Sequence, residues 1–431
     1  MVRRSKRLKR IVESDSEDDV PLTELKKGRF ETDGVFVPSE TSSLNGFIVQ
    51  DEEPFKSRWI EDEDYSIPTN DKVHKYETIV KGMVLPEEIK ERVLGMISNF
   101  EEMDMPGAPN DGEKFKLKKF LDNFTKIPFG KYAGESVGRD DTLTRKRDFL
   151  VKIKENMDRH IFGQKCAKNT ILEVIAKRIN SPDGNGNIIA LSGPPGVGKT
   201  SLIRNGLSRA YDVPFNFISL GGARHVNTLR GSDYSYIGSG WGKIVDILIK
   251  SQCMDPIIFF DELDKISTSD DGLDIVSSLV HLTDPSQNSE WEDLYFSGIP
   301  FDLSRATIIF SLNDESMIPE PLLDRLTVVK MRGFNEIEKV EIARKYCIPR
   351  LCHDIGFGSR EIIIGDDAIR TIIKHYCKEE GVRMLEKCLR IIMMKFNYFH
   401  MIELGKEEYG KDNPYKIDPA TAKIILDPVL I

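Results

Sequence analysis

Eight consecutive residues, Gly193-Pro194-Pro195-Gly196-Val197-Gly198-Lys199-Thr200, place glycines, a lysine and a hydroxyl in the spacing G-x-x-x-x-G-K-[ST], with Ser201 next in line. Glycines let successive backbone N–H groups point into one concavity, where they bind phosphate oxygens. The segment follows an apolar run ending at Leu191 and opens a helical stretch, Thr200–Arg209. A helix N-terminus adds partial positive charge to such a cradle. Lys199 then reaches the β- and γ-phosphates of a nucleotide, and Thr200 can ligate Mg²⁺.

A second element carries complementary chemistry. Ile257-Ile258-Phe259-Phe260-Asp261-Glu262 is an apolar run ending in two carboxylates, 62 residues beyond Lys199. Asp261 would complete the Mg²⁺ site, and Glu262 would orient and polarise an attacking water. Phosphoryl transfer needs little covalent help, so positioning and charge stabilisation do the catalysis. Ala306–Leu312 is another apolar run, and it ends at Asn313. A polar residue at the carboxyl end of a central strand lies beside the phosphates in this architecture. Arg325, in Pro321-Leu322-Leu323-Asp324-Arg325, is either a surface ion pair or a group reaching a neighbouring subunit's γ-phosphate. Arg383 follows a helix break at Glu380-Gly381.

A glycine-rich loop carries aromatic residues: Tyr234, Tyr236, Ile237 and Trp241 stand among Gly231, Gly238, Gly240 and Gly242. Glycine spacing implies a mobile loop. Its aromatics fit a satellite of the core, a base-stacking surface or a grip on polypeptide, and sequence physics alone does not choose. Cys347, Cys352 and His353 cluster as C-x4-C-H, a poor zinc signature that reads as structural. The seven histidines form no H-E-x-x-H pair.

These residues need elements to hold them. Five apolar runs (Ile188–Leu191, Phe215–Leu220, Ile257–Phe260, Ala306–Leu312 and Thr327–Met331) alternate with helical segments. Runs without polar alternation are strands buried on both faces, which predicts a parallel sheet covered by helices, an α/β domain. Before it, Ile89, Val93, Met96, Ile97 and Phe100 recur at helical spacing behind Pro86. Leu117, Phe120, Leu121 and Phe124 form a second stripe interleaved with Lys116, Lys118 and Lys119, and a third helix is expected near Leu150 to Met157. The lysines read as a solvated face, with a nucleic-acid face as the alternative. After Met331 the chain is again mostly helical, with short strand-like runs at Glu361–Ile364 and near Ile417 and an amphipathic segment around Ala420–Leu426.

The 431 residues, 40% hydrophobic and 30% charged, suit two or three globular domains and exclude a wholly disordered chain. A net charge of −9 argues against bulk electrostatic binding to nucleic acid. No apolar run approaches the length of a membrane span. Six scattered cysteines and the lack of an apolar stretch behind the N-terminal charges point to a reducing, intracellular compartment. Positions 1–10 carry six basic residues, and Glu13, Asp15, Glu17, Asp18 and Asp19 follow at once, around Ser14 and Ser16. Such blocks predict a disordered charged tail. Its basic cluster reads as a nuclear-import signal, a nucleic-acid contact or merely a solvated end.

Taken together, these residues resemble the ATPase part of the Lon protease family, within the AAA+ superfamily. The resemblance runs from about Tyr76 to the C-terminus. Besides the segments above, it rests on Ile218-Ser-Leu-Gly-Gly-Ala-Arg224, Leu229-Arg-Gly231, Tyr236-Ile-Gly238, Asp261-Glu-Leu-Asp-Lys265, Asp284-Pro-Ser-Gln-Asn288, Ile318-Pro-Glu-Pro-Leu-Leu-Asp-Arg325, Gly381-Val-Arg383 and Phe120-Leu-Asp-Asn-Phe-Thr-Lys-Ile-Pro128. It implies a charged tail (1–75), a helical neck (76–158), an α/β nucleotide-binding subdomain with a five-stranded parallel sheet (159–331) and a helical lid (332–431). It implies ATP with Mg²⁺ as cofactors and a homo-hexamer with nucleotide between subunits. Glu262 and Asn313 would act in hydrolysis, Arg325 as an arginine finger in trans and Arg383 as the lid's sensor. His160, Ile161 and Phe162 would close over the adenine, and Tyr236 with Ile237 would form the pore-loop pair gripping an extended polypeptide. A Trp at position 241 departs from the family pattern. The family's large N-terminal domain and its peptidase domain have no counterpart in this sequence.

The expected function is therefore an ATP-driven remodeller that threads protein substrates through a ring pore without proteolysis of its own, in the nucleus or cytoplasm, or in a virus-infected eukaryotic cell. A nucleic-acid motor and a non-catalytic nucleotide switch are the alternatives.

Overall fold

The computed structural model describes residues 69–103, 111–133, 137–181, 188–223, 225–236, 238–267, 269–356, 362–402 and 415–430. The expected tail lies outside the described residues as far as 68. Its assigned end at 75 is corrected: helix Thr69–Gly82 begins inside the stretch assigned to the tail. Ile237 and Arg224 also lie outside the described residues.

The five apolar runs become five strands of one sheet. In chain order the strands among the described residues are β1 Ile189–Ser192, β2 Phe215–Ser219, β3 Ile257–Asp261, β4 Trp291–Glu292, β5 Pro300–Phe301, β6 Thr307–Leu312, β7 Thr327–Lys330, β8 Ile362–Ile364 and β9 Tyr415–Ile417. The main sheet runs β2-β3-β6-β1-β7, and every pairing in it is parallel. Side chains alternate between its faces. Ile189, Leu191, Ile257, Phe259 and Ile309 enter one core, while Ala190, Ile258, Phe260, Ile308 and Phe310 enter the other. That is why the runs show no polar alternation. Helices Leu143–His160 and Lys165–Asn180, and the helical stretch from Lys199 to Tyr211, cover the first face.

The helical stretch after the glycine loop is not uniform. Leu202–Ser208 is wound as a π-helix between two short α-turns. Asn156 accounts for part of this, because its Nδ2 donates to the carbonyls of Asn205 (2.9 Å) and Gly206 (2.7 Å). A side chain that inserts into the backbone ladder displaces its usual donors.

The other face carries helices Lys243–Ser251 and Asp270–Thr283. It also carries the amino-terminal helices: Thr69–Gly82, Glu87–Glu102 and Asp111–Phe124 share a single core with the sheet. Phe120 and Phe124 of the last helix stack at 6.0 Å and meet Phe296 at 5.2 and 6.3 Å, while Phe129 stacks on Phe301 at 5.5 Å. Each fully buried phenylalanine contributes about 1.5–3 kcal/mol, so these helices are fastened to the sheet.

After Arg332 the chain builds a separate core. Helical turns Glu336–Ile355, helices Asp366–Tyr376, Arg383–Ile402 and Pro419–Leu430, and the parallel pair β8–β9 enclose it. Asn335 and Glu338 close the first helix with a capping box, which satisfies two otherwise unpaired N–H groups. Residues Ala343–Cys347 widen to a π-turn just before Pro349. A proline ring clashes with the carbonyl four residues back, and widening relieves that clash. Cys347, Cys352, Cys377 and Cys388 are buried in this core, so the C-x4-C-H cluster is packing. Among the described residues no group of three or more His, Cys, Asp or Glu is arranged to hold a metal ion.

Candidate nucleotide site

The glycine loop links β1 to its helix, and three of its glycines have left-handed or open backbones: Gly193 (φ 157°), Gly196 (φ 79°) and Gly198 (φ 95°). Gly196 and Gly198 lie where a side chain is strained. The surroundings also exclude one at Gly193, since a Cβ there would fall on the Met331 carbonyl oxygen. At Gly196 it would lie 3.0 Å from the Arg383 nitrogen, and at Gly198 3.5 Å from Ile161 Cδ1. Three separate segments therefore press on the loop from outside.

Lys199 Nζ donates to Asn313 Oδ1 at 2.7 Å and to the Gly193 carbonyl. Burial holds its pKa below the usual lysine range, and the Asp261 and Asp264 carboxylates oppose that shift. The ammonium is thus penned at the end of β6, and among the described residues no carboxylate forms an ion pair with it. Asp261 closes β3, half-buried, and Thr200 lies in the first helical turn. Neither the Asp261 carboxylate nor the Thr200 hydroxyl is hydrogen-bonded among the described residues. Oxygen donors of this kind suit Mg²⁺, which prefers one or two protein oxygens and keeps waters.

Glu262 is the clearest oddity. It adopts φ 60°, ψ 45°, the left-handed region that costs a non-glycine residue about 1 kcal/mol or more. Its Oε2 lies 3.4 Å from Ser219 Oγ and packs on Gly221, where a Cβ would displace it. The conformation turns the carboxylate away from the strand and toward the end of β2, and no sequence pattern announces it.

The helical core after Arg332 meets this loop directly. Val382 N–H donates to the Gly196 carbonyl at 3.1 Å. Gly381 lies so close to Pro195 and Gly196 that a Cβ would overlap the Pro195 carbonyl. Arg383 opens helix Arg383–Ile402 from there. The segment His160–Gln164 runs alongside. His160 Nδ1 lies 2.9 Å from the Asn156 carbonyl, and burial lowers the imidazole's pKa. Ile161 is buried beside Gly198, and the Phe162 ring meets Phe334 edge-on at 6.4 Å. Gln164 closes that segment. It is buried, left-handed at φ 53°, and brackets Arg332 with two hydrogen bonds, Nε2 to its carbonyl (2.8 Å) and its N–H to Oε1 (3.2 Å). These contacts tie segments 168 residues apart, which sequence spacing cannot reveal.

Comparison with known proteins agrees with this geometry. A model described as "ATPase family associated with various cellular activities (AAA)" matches residues 189–333, and one described as "Lon protease AAA+ ATPase lid domain" matches 353–404. The chain belongs to the Lon protease family by its AAA+ ATPase portion. A Lon protease homolog of Acanthamoeba polyphaga mimivirus is 38% identical over 298 residues, covering 67% of this chain and 29% of the relative. A Lon protease of Ureaplasma parvum is 34% identical over 317 residues (74% and 38%), and a mitochondrial Lon protease homolog of Candida albicans is 29% identical over 347 (80% and 30%). The chain thus spans about a third of the length of these relatives.

Within this Lon-family portion, Arg325 donates to the Pro321 carbonyl (2.7 Å) and pairs with Asp284 at 3.2 Å. Asp284 is held acidic mainly by Ser286, through its hydroxyl and N–H, and then by Arg325. Tyr236 is 70% exposed at the tip of the glycine loop. Trp241 is half-buried and meets Tyr295 edge-on at 5.8 Å, so it is a satellite of the core rather than an open stacking surface. Lys116 donates to the Ser235 carbonyl and Lys119 to that of Ser239 at 2.7 Å. Those two ammonium groups are engaged by the loop and do not form a free basic face. No helix among the described residues is long and apolar enough to cross a membrane.

Proposed function

We propose that this chain is a Lon-like AAA+ motor that hydrolyses ATP to pull polypeptide past Tyr236 and Ile237 in the pore of a homo-hexameric ring, acting as an unfoldase. The observation that carries the reading is the closure of residues 381–383 onto the glycine loop. It couples nucleotide at residues 193–201 to the whole helical core behind Arg383, read here as a lid (332–431) on a nucleotide-binding subdomain (159–331), with residues 76–158 as the neck.

In this mechanism the backbone N–H groups of 193–198 and Lys199 bind the phosphates, with Lys199 leaving Asn313 to do so. Thr200 and Asp261 would hold Mg²⁺, which supplies charge neutralisation on the phosphates. Glu262, held turned away from its strand, orients the attacking water. Asn313 then hydrogen-bonds that water or the γ-phosphate. Arg383 senses the nucleotide from the lid, and Arg325 leaves Asp284 to reach a neighbouring subunit's γ-phosphate, where such an arginine is worth on the order of 10³–10⁵ in rate. His160 to Phe162 enclose the adenine. Six unpaired cysteines, five of them buried, support a reducing compartment such as nucleus or cytoplasm.

ATP turnover of the purified chain alone, with a permanently unfolded polypeptide, and with single- and double-stranded DNA tests this reading, with Glu262→Gln as blank. Stimulation by polypeptide only is expected. Stimulation by DNA only would replace it with a nucleic-acid motor, and turnover no higher than the blank in every condition would leave a nucleotide switch.

A further inference from the structure

We propose that helix Asp111–Phe124 is the positioning element for the Tyr236 loop, and that Lys116, Lys119 and Phe120 fix the height at which Tyr236 is presented. The inference rests on the polypeptide-gripping reading of that loop and names what controls it.

A loop with glycines at 231, 238, 240 and 242 orders itself at a high entropic cost. Its own ties lie at the base and at one turn. Ser232 N–H donates to the Gly240 carbonyl (3.0 Å), and Gly242 N–H donates to Asp293 Oδ2 (2.8 Å). Asp233 Oδ1 accepts from Ser235 N–H (2.8 Å) and Oγ (2.6 Å). Asp293 and Tyr295 hold the base from outside, at Gly242 and Trp241, whereas the outside ties next to Tyr236 come from one helix. Lys116 takes the Ser235 carbonyl and Lys119 the Ser239 carbonyl, one on each side of Tyr236. The Phe120 ring lies 5.8 Å from that of Tyr234 and stacks on Tyr295 at 6.1 Å. An ammonium on a carbonyl is a charge-assisted bond, stronger than a neutral one. Lys116, Lys119 and Phe120 lie three, four and one residues apart, one face of a helix. That face is aimed at the loop, and the exposed Tyr236 stands between its two anchor points.

The helix is in turn anchored to what precedes it. Tyr76 donates its hydroxyl to Asp122, and Phe120 and Leu121 share the core of helices Thr69–Gly82 and Glu87–Glu102. Arg92 of the latter holds the Gly298 and Ser297 carbonyls at 3.2 Å each. Displacement of the amino-terminal helices therefore moves the loop through two lysines, without passing through the nucleotide site.

The full chain carrying Lys116→Met and Lys119→Met tests this. Amide hydrogen exchange across residues 232–240 is expected to quicken by tenfold or more while the rest of the chain keeps its protection. Basal ATP turnover is expected to stay at the wild-type rate, and the KM for reduced, carboxymethylated lactalbumin as stimulator to rise about tenfold. Lys116→Arg with Lys119→Arg, which keeps the donors, is expected to restore both. Unchanged exchange overturns the proposal, and so does faster exchange with an unchanged KM where Tyr236→Ala loses stimulation. Tyr236→Ala is run beside it. If that variant loses stimulation while the lysine variant keeps it, the clamp is wrong and the grip stands. If neither variant loses stimulation, the gripping reading fails, and the exchange rates alone decide the clamp.

Discussion

Replacing Gly381 by alanine tests the coupling between lid and nucleotide with one methyl group. Gly381 does not need a left-handed backbone, so the change acts through space alone. The added Cβ would lie 2.7 Å from the Gly196 carbonyl carbon and 2.8 Å from its Cα, besides overlapping the Pro195 carbonyl. Carbon atoms in contact sit about 3.5–4.0 Å apart, so the two segments must separate by roughly 1 Å. Backbone cannot rotate out of the way as a side-chain tip can. The 3.1 Å bond from Val382 N–H to the Gly196 carbonyl is lost with the separation, at a cost of about 1 kcal/mol. Arg383 moves with it, and a 1 Å misplacement costs on the order of 10² in rate. ATP turnover is expected to fall about a hundredfold, and the Kd for a fluorescent ATP analogue to rise about five- to tenfold, as a loss of about 1 kcal/mol implies. Melting in the absence of nucleotide should shift by only a few degrees, because both cores remain intact. Gly222→Ala is the control, since a Cβ there meets nothing within 4 Å. Wild-type turnover in Gly381→Ala would refute the argument that residues 381–383 couple lid and loop.

Three further outcomes are expected. Arg325→Ala should lose on the order of 10³ in turnover while ATP affinity stays within about twofold, and adding Glu262→Gln subunits with an intact Arg325 should partly restore it. An equal loss of affinity would place Arg325 in its own chain's site instead. Asp293 is fully buried, and burial pushes its pKa up to about 7, against the hydrogen bonds from Gly242, Tyr295 and Phe296 that favour the carboxylate. Between its ordinary value and 7 the folded chain then binds more protons than the unfolded one, so this group's contribution to stability falls as pH rises through that window, by roughly 4 kcal/mol in all. Chemical denaturation of wild type and Asp293→Asn from pH 4 to pH 8 should show this difference, and a difference independent of pH would contradict it. Finally, Cys166 is exposed and the other five cysteines are buried, so a maleimide should label one thiol per native chain within minutes and six after unfolding.

The strands were legible because strands buried on both faces leave continuous apolar runs, and the five runs end within two residues of the observed strands. The nucleotide loop and Asp261-Glu262 were legible because phosphate binding restricts residue type and spacing together. What stayed hidden depends on contacts between distant segments. The pairing of Ile362–Ile364 with Tyr415–Ile417 joins runs some fifty residues apart, and neither run shows which partner it takes. The strands Trp291–Glu292 and Pro300–Phe301 are too short for periodicity to register. The lysines at 116 and 119 looked like solvated charge because their partners are backbone carbonyls, which every residue carries. The left-handed turn at Glu262 carries no glycine or asparagine to announce it, and its side chain packs on Gly221, 41 residues earlier. The stripe at Phe120, Leu121 and Phe124 was legible as a packing face, but not that it packs on the core of the sheet.

That shared core sets an order of events at the ribosome. Phe120 and Phe124 are made long before Phe296 and Phe301, and Phe301 follows Phe124 by 177 residues. At about 5–20 residues per second of synthesis, the nascent amino-terminal helices wait roughly 10–35 seconds for the aromatic residues that cover them. During that interval the part of their apolar stripe that meets Tyr295, Phe296 and Phe301 is available to chaperones and to other nascent chains, and a product truncated before residue 291 would emerge with that part uncovered.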